Sequence, residues 1–212
     1  HTWITSLPET LTEEELYEEQ TPPMGTCCKA APVVIELDAN GKVVQGWGDK
    51  AKEEPANWPR NPHGIFVDHT DHVWVGTHMH HRVMKFTRDG KRLLTLGVKG
   101  KPATDDKTFN RPTDIAFSPD GKNVYVSDGY GNSRVVKFTA DGKYVSTWGK
   151  RGKGPGEFNT PHSIAIDSKG RVYVSDSKGI QVFDSEGRYL TSFKPEGVAF
   201  GMVFNDRNEL LV

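Results

Sequence analysis

Two histidines follow prolines in matching surroundings, at Pro62-His63-Gly64 and Pro161-His162-Ser163, and Tyr130 lies between them in the turn Asp128-Gly129-Tyr130-Gly131-Asn132-Ser133-Arg134. A neutral imidazole is a common ligand of divalent metals. Three protein nitrogens with an open fourth position make a catalytic zinc arrangement. A tyrosine near such a metal loses its proton more readily and then acts as a base. The residue types therefore allow metal-assisted proton abstraction, with His63 and His162 as metal ligands and Tyr130 as proton acceptor. The plain alternative is two polar turn histidines and an aromatic plug in a glycine-rich turn. His78, His80 and His81 form another cluster. Alternation in an extended chain puts His78 and His80 on one face, and a solvated loop is favoured there over a second metal site.

The surrounding pattern says what positions these residues. Three stretches repeat one plan: Pro62 to Asp68 with His72-Val73-Trp74-Val75, Pro112 to Phe117 with Asn123-Val124-Tyr125-Val126, and Pro161 to Asp167 with Arg171-Val172-Tyr173-Val174. Each continues into a third apolar run, an Asp-Gly or Glu-Gly turn and a fourth run. Four short strands per unit, at a period of roughly 40–50 residues, predict an all-β protein built of β-propeller blades. The blades fall at about 1–49, 60–98, 110–149, 159–194 and 197–212, within one domain over 1–212. The first unit contributes its second to fourth strands; the fifth opens with an inner strand from Val198 to Phe204 and reaches only its second, Glu209 to Val212. The expectation is an open arc of a six-bladed ring, in which residues 1–5 pair with 33–37 and the two ends do not pair. In such a ring the residue before each inner strand sits at the channel mouth. His63 and His162 stand there on alternate blades, about 120° apart, as two corners of a triangular site whose third ligand would come from the sixth blade.

Composition narrows the partners. The 212 residues carry a formal net charge of -1, which argues against nucleic acid or an anionic membrane recruited by bulk charge. No apolar run approaches a membrane span, so membrane insertion is not expected. The adjacent Cys27 and Cys28 cannot form a metal cage alone; two free thiols and a strained vicinal disulfide both remain open. Thr12 and Glu15 have the spacing of a capping box, predicting a short helix start. The basic, glycine-rich run from Gly149 to Phe158 lies between blades and reads as a connecting loop. Trp47 and Trp148, at equivalent fourth-strand ends, read as packing residues.

At Pro62-His63-Gly64, Phe109 to Asp114, Val126 to Arg134 and Gly156 to Ser163, the chain resembles the NHL-repeat propellers. More closely, it resembles their peptidyl-α-hydroxyglycine α-amidating lyase branch. The resemblance covers roughly residues 60–194. It implies a six-bladed propeller with zinc in the channel, held by His63 and His162, and Tyr130 as the active-site tyrosine. It also implies a structural calcium at the backbone carbonyl of Ile65. The third zinc histidine and a calcium aspartate would lie beyond Val212. The implied reaction cleaves a hydroxyglycine-extended peptide to an amide and glyoxylate, in a secreted or periplasmic setting. Ser177 stands where the resemblance implies one arginine, and Thr5 or Ser6 where it implies another. Paired cysteines of animal members are replaced at Asn110 with Gly131 and at Tyr173 with Val182. The partner is then a small peptide-like substrate. The competing class is a non-enzymatic NHL module that binds a protein or other ligand on its top face.

Overall fold

The computed structural model describes residues 1–12, 15, 16, 20–25, 30–48 and 58–212. Cys27 and Cys28, with Glu13 and Glu14 of the expected helix start, lie outside the described residues. Thr12 and Glu15 do form the reciprocal capping bonds: the Thr12 N–H donates to Glu15 Oε2 at 2.8 Å, and the Glu15 N–H to Thr12 Oγ1 at 3.4 Å. A single 3-10 turn, Pro8–Thr10, precedes them.

Among the described residues seventeen short strands make five antiparallel sheets. The first is β1 (Thr2–Thr5), β2 (Val34–Leu37) and β3 (Val43–Trp47). Three sheets are four-stranded. The second runs β4 (Pro62–Val67), β5 (Val73–Thr77), β6 (Arg82–Phe86) and β7 (Arg92–Gly97). The third runs β8 (Asp114–Phe117), β9 (Asn123–Asp128), β10 (Arg134–Thr139) and β11 (Tyr144–Trp148). The fourth runs β12 (Ile164–Ile166), β13 (Val172–Asp176), β14 (Gly179–Phe183) and β15 (Tyr189–Phe193). The last pairs β16 (Val203–Phe204) with β17 (Leu210–Leu211). β1 pairs with β2 from Thr2↔Leu37 to Thr5↔Val34, and among the described residues the first and last sheets do not pair. The chain is thus part of a β-propeller, an open arc in which β4, β8, β12 and β16 pack side by side in order.

The blades are glued face to face by alternating apolar residues. Trp74, Val83, Leu96 and Phe109 pack against Ile115, Val124, Val136 and Phe138 between the second and third sheets. Val33, Trp47 and Trp58 pack against Val73, Met84 and Phe86 between the first and second. Trp47 and Trp148 each rest on a glycine turn of the next blade. A Cβ on Gly90 would lie 2.7 Å from Trp47, and one on Gly187 2.5 Å from Trp148.

Two expectations are corrected. The inner strand expected from Val198 to Phe204 is regular only at Val203–Phe204. A tight turn, with Phe200 N–H on the Val198 carbonyl at 3.0 Å, uses the earlier residues to reach the channel rim. Residues 78–81 form a turn, with His81 at φ 57°, so the extended alternation assigned to His78 and His80 does not apply.

Candidate functional site

The propeller repeats place one residue of each blade at the channel mouth, just before or at the start of the inner strand. His63 begins β4 beside a bulge between Pro62 and Ile65, and His162 precedes β12. Their rings meet with centroids 5.1 Å apart. Tyr130, in the turn after β9, comes between them. Its hydroxyl lies 3.0 Å from His63 Nε2 and 3.0 Å from His162 Nε2.

Backbone groups fix the tautomers. His63 Nδ1 lies 2.7 Å from the Thr113 carbonyl, and His162 Nδ1 lies 2.8 Å from the Phe200 carbonyl. A carbonyl can only accept, so each Nδ1 carries its proton and each neutral ring keeps an Nε2 lone pair. Both lone pairs face one phenol that has a single proton to give. The site therefore holds one more acceptor than its donors can satisfy. This is the donor set a divalent cation takes: two imidazole nitrogens oriented by outer carbonyls. Burial pushes the His63 imidazole below its ordinary value, with His162 adding to the shift and the Thr113 carbonyl and Asp114 opposing it. The lone-pair form is thus favoured. Among the described residues no group of three or more His, Cys, Asp or Glu gathers as a metal cage, so this chain offers a pair of ligands.

Close packing of neighbouring blades makes this convergence possible. A Cβ on Gly129 would fall 1.8 Å from the Pro161 carbonyl oxygen, so only glycine lets the Tyr130 turn approach the His162 blade. Thr113 Oγ1 donates to the same Pro161 carbonyl at 2.9 Å. The turn itself is held from below by Asp128, which is fully buried. Asp128 accepts from Arg134 Nε at 3.0 Å, Asn132 Nδ2 at 2.7 Å and the Asn110 N–H at 2.8 Å.

Under the rim lies a channel cavity of about 360 Å³, whose wall includes Ile65, Asp114, Ile115, Ile164 and Met202. Ile65, to which the resemblance assigns a calcium carbonyl, therefore faces the channel below the histidines. Asp114 accepts from Ser163 Oγ at 2.7 Å and the Ile164 N–H at 3.1 Å, tying two blades together, and Ser163 Oγ accepts the Met202 N–H at 3.0 Å. Burial raises the Asp114 carboxyl, with those hydrogen bonds opposing.

The sequence reading missed His78 as a member of this site. Its ring packs edge-on to His63 at 5.5 Å and to Tyr130 at 5.8 Å. Its Nδ1 is buried with no hydrogen bond among the described residues. His81 is engaged elsewhere: its Nδ1 accepts the Arg111 N–H at 3.1 Å. Ser177 is exposed and bonds its own neighbour, Asp176 Oδ1, at 3.1 Å.

A family profile described as a 6-bladed beta-propeller matches residues 103–201. Over 145 residues the chain is 41% identical to the peptidylglycine alpha-amidating monooxygenase of Rattus norvegicus, covering 66% of this chain and 14% of that protein. It is 37% identical over 115 residues to peptidyl-alpha-hydroxyglycine alpha-amidating lyase 1 of Drosophila melanogaster, covering 53% and 20%. It is 35% identical over 184 residues to the human NHL repeat-containing protein 3, covering 78% and 50%. The chain therefore spans half or less of each of these relatives. Among solved structures, a gluconolactonase from Xanthomonas campestris superposes with a TM-score of 0.61 at 22% identity, over 84% of this chain and 60% of that one. That likeness shows the propeller fold alone. The resemblance to NHL-repeat propellers and to the amidating-lyase branch is thus borne out in sequence, and the propeller fold in architecture.

Proposed function

We propose that residues 1–212 form one propeller domain carrying the channel site of a metal-dependent lyase. Its substrate is a peptidyl-α-hydroxyglycine, cleaved to the peptide amide and glyoxylate. The observation that supports this best is the pair of Nε2 lone pairs converging at 3.0 Å on the Tyr130 hydroxyl. Similarity to amidating lyases supplies the substrate class.

His63 and His162 would hold zinc, which when bound polarises the substrate and stabilises developing negative charge. The chain's own residues do the rest. The Thr113 and Phe200 carbonyls keep both Nδ1–H groups turned outward, so neither ring can flip its lone pair away. With the cation in place the Tyr130 oxygen would act as the phenolate and receive the proton of the substrate hydroxyl. As that O–H breaks, the carbon–oxygen double bond of glyoxylate forms and the carbon–nitrogen bond breaks. The departing nitrogen takes that proton back from Tyr130 and becomes the amide, which returns the tyrosine oxygen to its starting state. The half-open rim, with Tyr130 43% exposed, admits a peptide end.

A structural calcium at the Ile65 carbonyl and a secreted or periplasmic setting belong to the same reading. Among the described residues no helix is long and apolar enough to cross a membrane. The test is to supply the intact, zinc-loaded protein with an N-acyl-α-hydroxyglycine. Amide and glyoxylate should appear in equal amounts, stop on chelation and return with zinc. No product under these conditions would favour the non-enzymatic NHL module.

A further inference from the structure

The second strands of the four-stranded sheets end at equivalent positions, and the groups there differ in one respect. In the third blade Asp128 stands opposite Arg134 across β9 and β10. The buried guanidinium donates to that carboxylate at 3.0 Å and to the Thr104, Asp105 and Thr108 carbonyls at 2.8, 3.0 and 2.8 Å. In the fourth blade Asp176 stands opposite Gly179, and its carboxylate accepts the N–H groups of Asn159 and Thr160 at 2.8 and 3.1 Å. In the second blade Thr77 stands opposite Arg82. The guanidinium is kept there and the carboxylate is not.

Arg82 is 6% exposed, and its Nε and Nη2 are buried with no hydrogen bond among the described residues. Among those residues no carboxylate pairs with it. Thr77 cannot balance the charge: its hydroxyl is neutral and donates to the Arg82 carbonyl at 3.3 Å. Burial, with the Arg92 charge second, pushes the guanidinium below its ordinary value. A buried cation without a counter-charge is costly, and a buried N–H without an acceptor adds to that cost. The surroundings are close on both flanks. Thr77 is fully buried on one side, and a Cβ on Gly97, opposite Arg82 in β7, would lie 3.2 Å from the Arg82 Cα on the other. A group so enclosed suits a small ion rather than one end of a large ligand.

We propose that Arg82 holds a small monovalent inorganic anion, chloride being the simplest, in the place that Asp128 fills in the next blade. The ion accepts from Nε and Nη2 and supplies the missing negative charge. Its role follows from the equivalence of the blades. Asp128 supports the turn that carries Tyr130, through Arg134 and Asn132. Thr77 and Arg82 flank the turn that carries His78, whose ring packs on His63 and Tyr130. The anion therefore steadies one wall of the channel mouth without touching substrate, whether or not the channel is a lyase site.

The test replaces gluconate, too large to enter, by chloride at constant ionic strength, and follows thermal unfolding of the intact zinc-loaded protein. Raising chloride from about 1 to about 100 mM should lift the parent's midpoint by about 3–5 °C, and the chloride-35 resonance should broaden over the same range. Thr77→Asp, close in volume, supplies the carboxylate from the chain itself. In gluconate it should melt at or above the parent's chloride value and should no longer respond to chloride. Arg82→Gln removes the charge and should also abolish the response; if that variant does not fold, Thr77→Asp still decides. A parent midpoint that is the same in both salts would overturn the assignment. So would a chloride response that survives in Thr77→Asp, because the ion would then sit elsewhere, for instance on the zinc.

Discussion

His63 Nδ1 meets the Thr113 carbonyl at 2.7 Å, across the boundary between two blades. His162 repeats the relation with Phe200 at 2.8 Å. In each case the oriented histidine belongs to one blade and the orienting carbonyl to the equivalent rim position of the next. Blade packing therefore sets imidazole orientation directly.

Removal of one ligand follows first from this geometry. His162→Ala leaves a single oriented Nε2 at the rim, and zinc should no longer survive dialysis at stoichiometric level. Metal analysis of parent and variant checks it. Zinc retained at parent level in the variant would place the ion elsewhere.

The support of Tyr130 is the next target. Asp128→Ala leaves the buried Arg134 guanidinium without its carboxylate and frees the Asn110 and Asn132 donors. Breaking a buried pair from one side costs about 3–5 kcal/mol. Urea denaturation should show a loss of that size, and turnover should fall with it as the tyrosine turn loosens. A loss below about 1 kcal/mol would mean that the pair is dispensable.

Blade approach at Gly129 is testable by a single methyl. Gly129→Ala puts a Cβ 1.8 Å from a backbone oxygen, which no side-chain rotation relieves. The blades must part, at about 2–3 kcal/mol, and Tyr130 must draw away from His162. Gly201→Ala, whose Cβ meets nothing within 4 Å, is the control and should be near neutral. Equal stabilities of the two variants would contradict the close approach.

Acid sensitivity has a defined source in Asp68. Burial alone would raise its carboxyl, but hydrogen bonds from Thr70, the Trp74 indole and the His72 N–H outweigh burial and hold it well below the usual carboxylate range. The folded value is thus lower than the unfolded one. Its stabilisation is present above the ordinary aspartate value of 3.8 and is lost progressively as pH falls below it. Asp68→Asn should cost about 2 kcal/mol near neutral pH, and the gap to the parent should narrow steadily as pH falls below about 4. A gap that persists unchanged in acid would rule out this carboxylate as the cause.

Much of the architecture is legible because a strand's period is short and its turns are chemically marked. Pro62-His63 and Pro161-His162 announced the same rim position twice. The pairs named from lost cysteines are neighbours here: a Cβ on Gly131 would strike the Asn110 side chain at 2.1 Å, and Tyr173 stands opposite Val182 across two strands. The role of His78 was hidden because it depends on the chain turning at residues 78–81 rather than running extended. The orienting carbonyls of Thr113 and Phe200 were hidden for a different reason. Every residue has a carbonyl, and only the docking of blades says which ones face an imidazole.

The account turns on Tyr130 as proton acceptor between two metal-binding histidines, and Tyr130→Phe tests that most directly. The phenylalanine keeps the ring against His63 and His162 and removes only the oxygen. Zinc content and glyoxylate release are measured on the same preparations of variant and parent. The prediction is zinc at parent level with turnover lower by about 100-fold or more. Equal turnover in the two proteins would contradict the central claim.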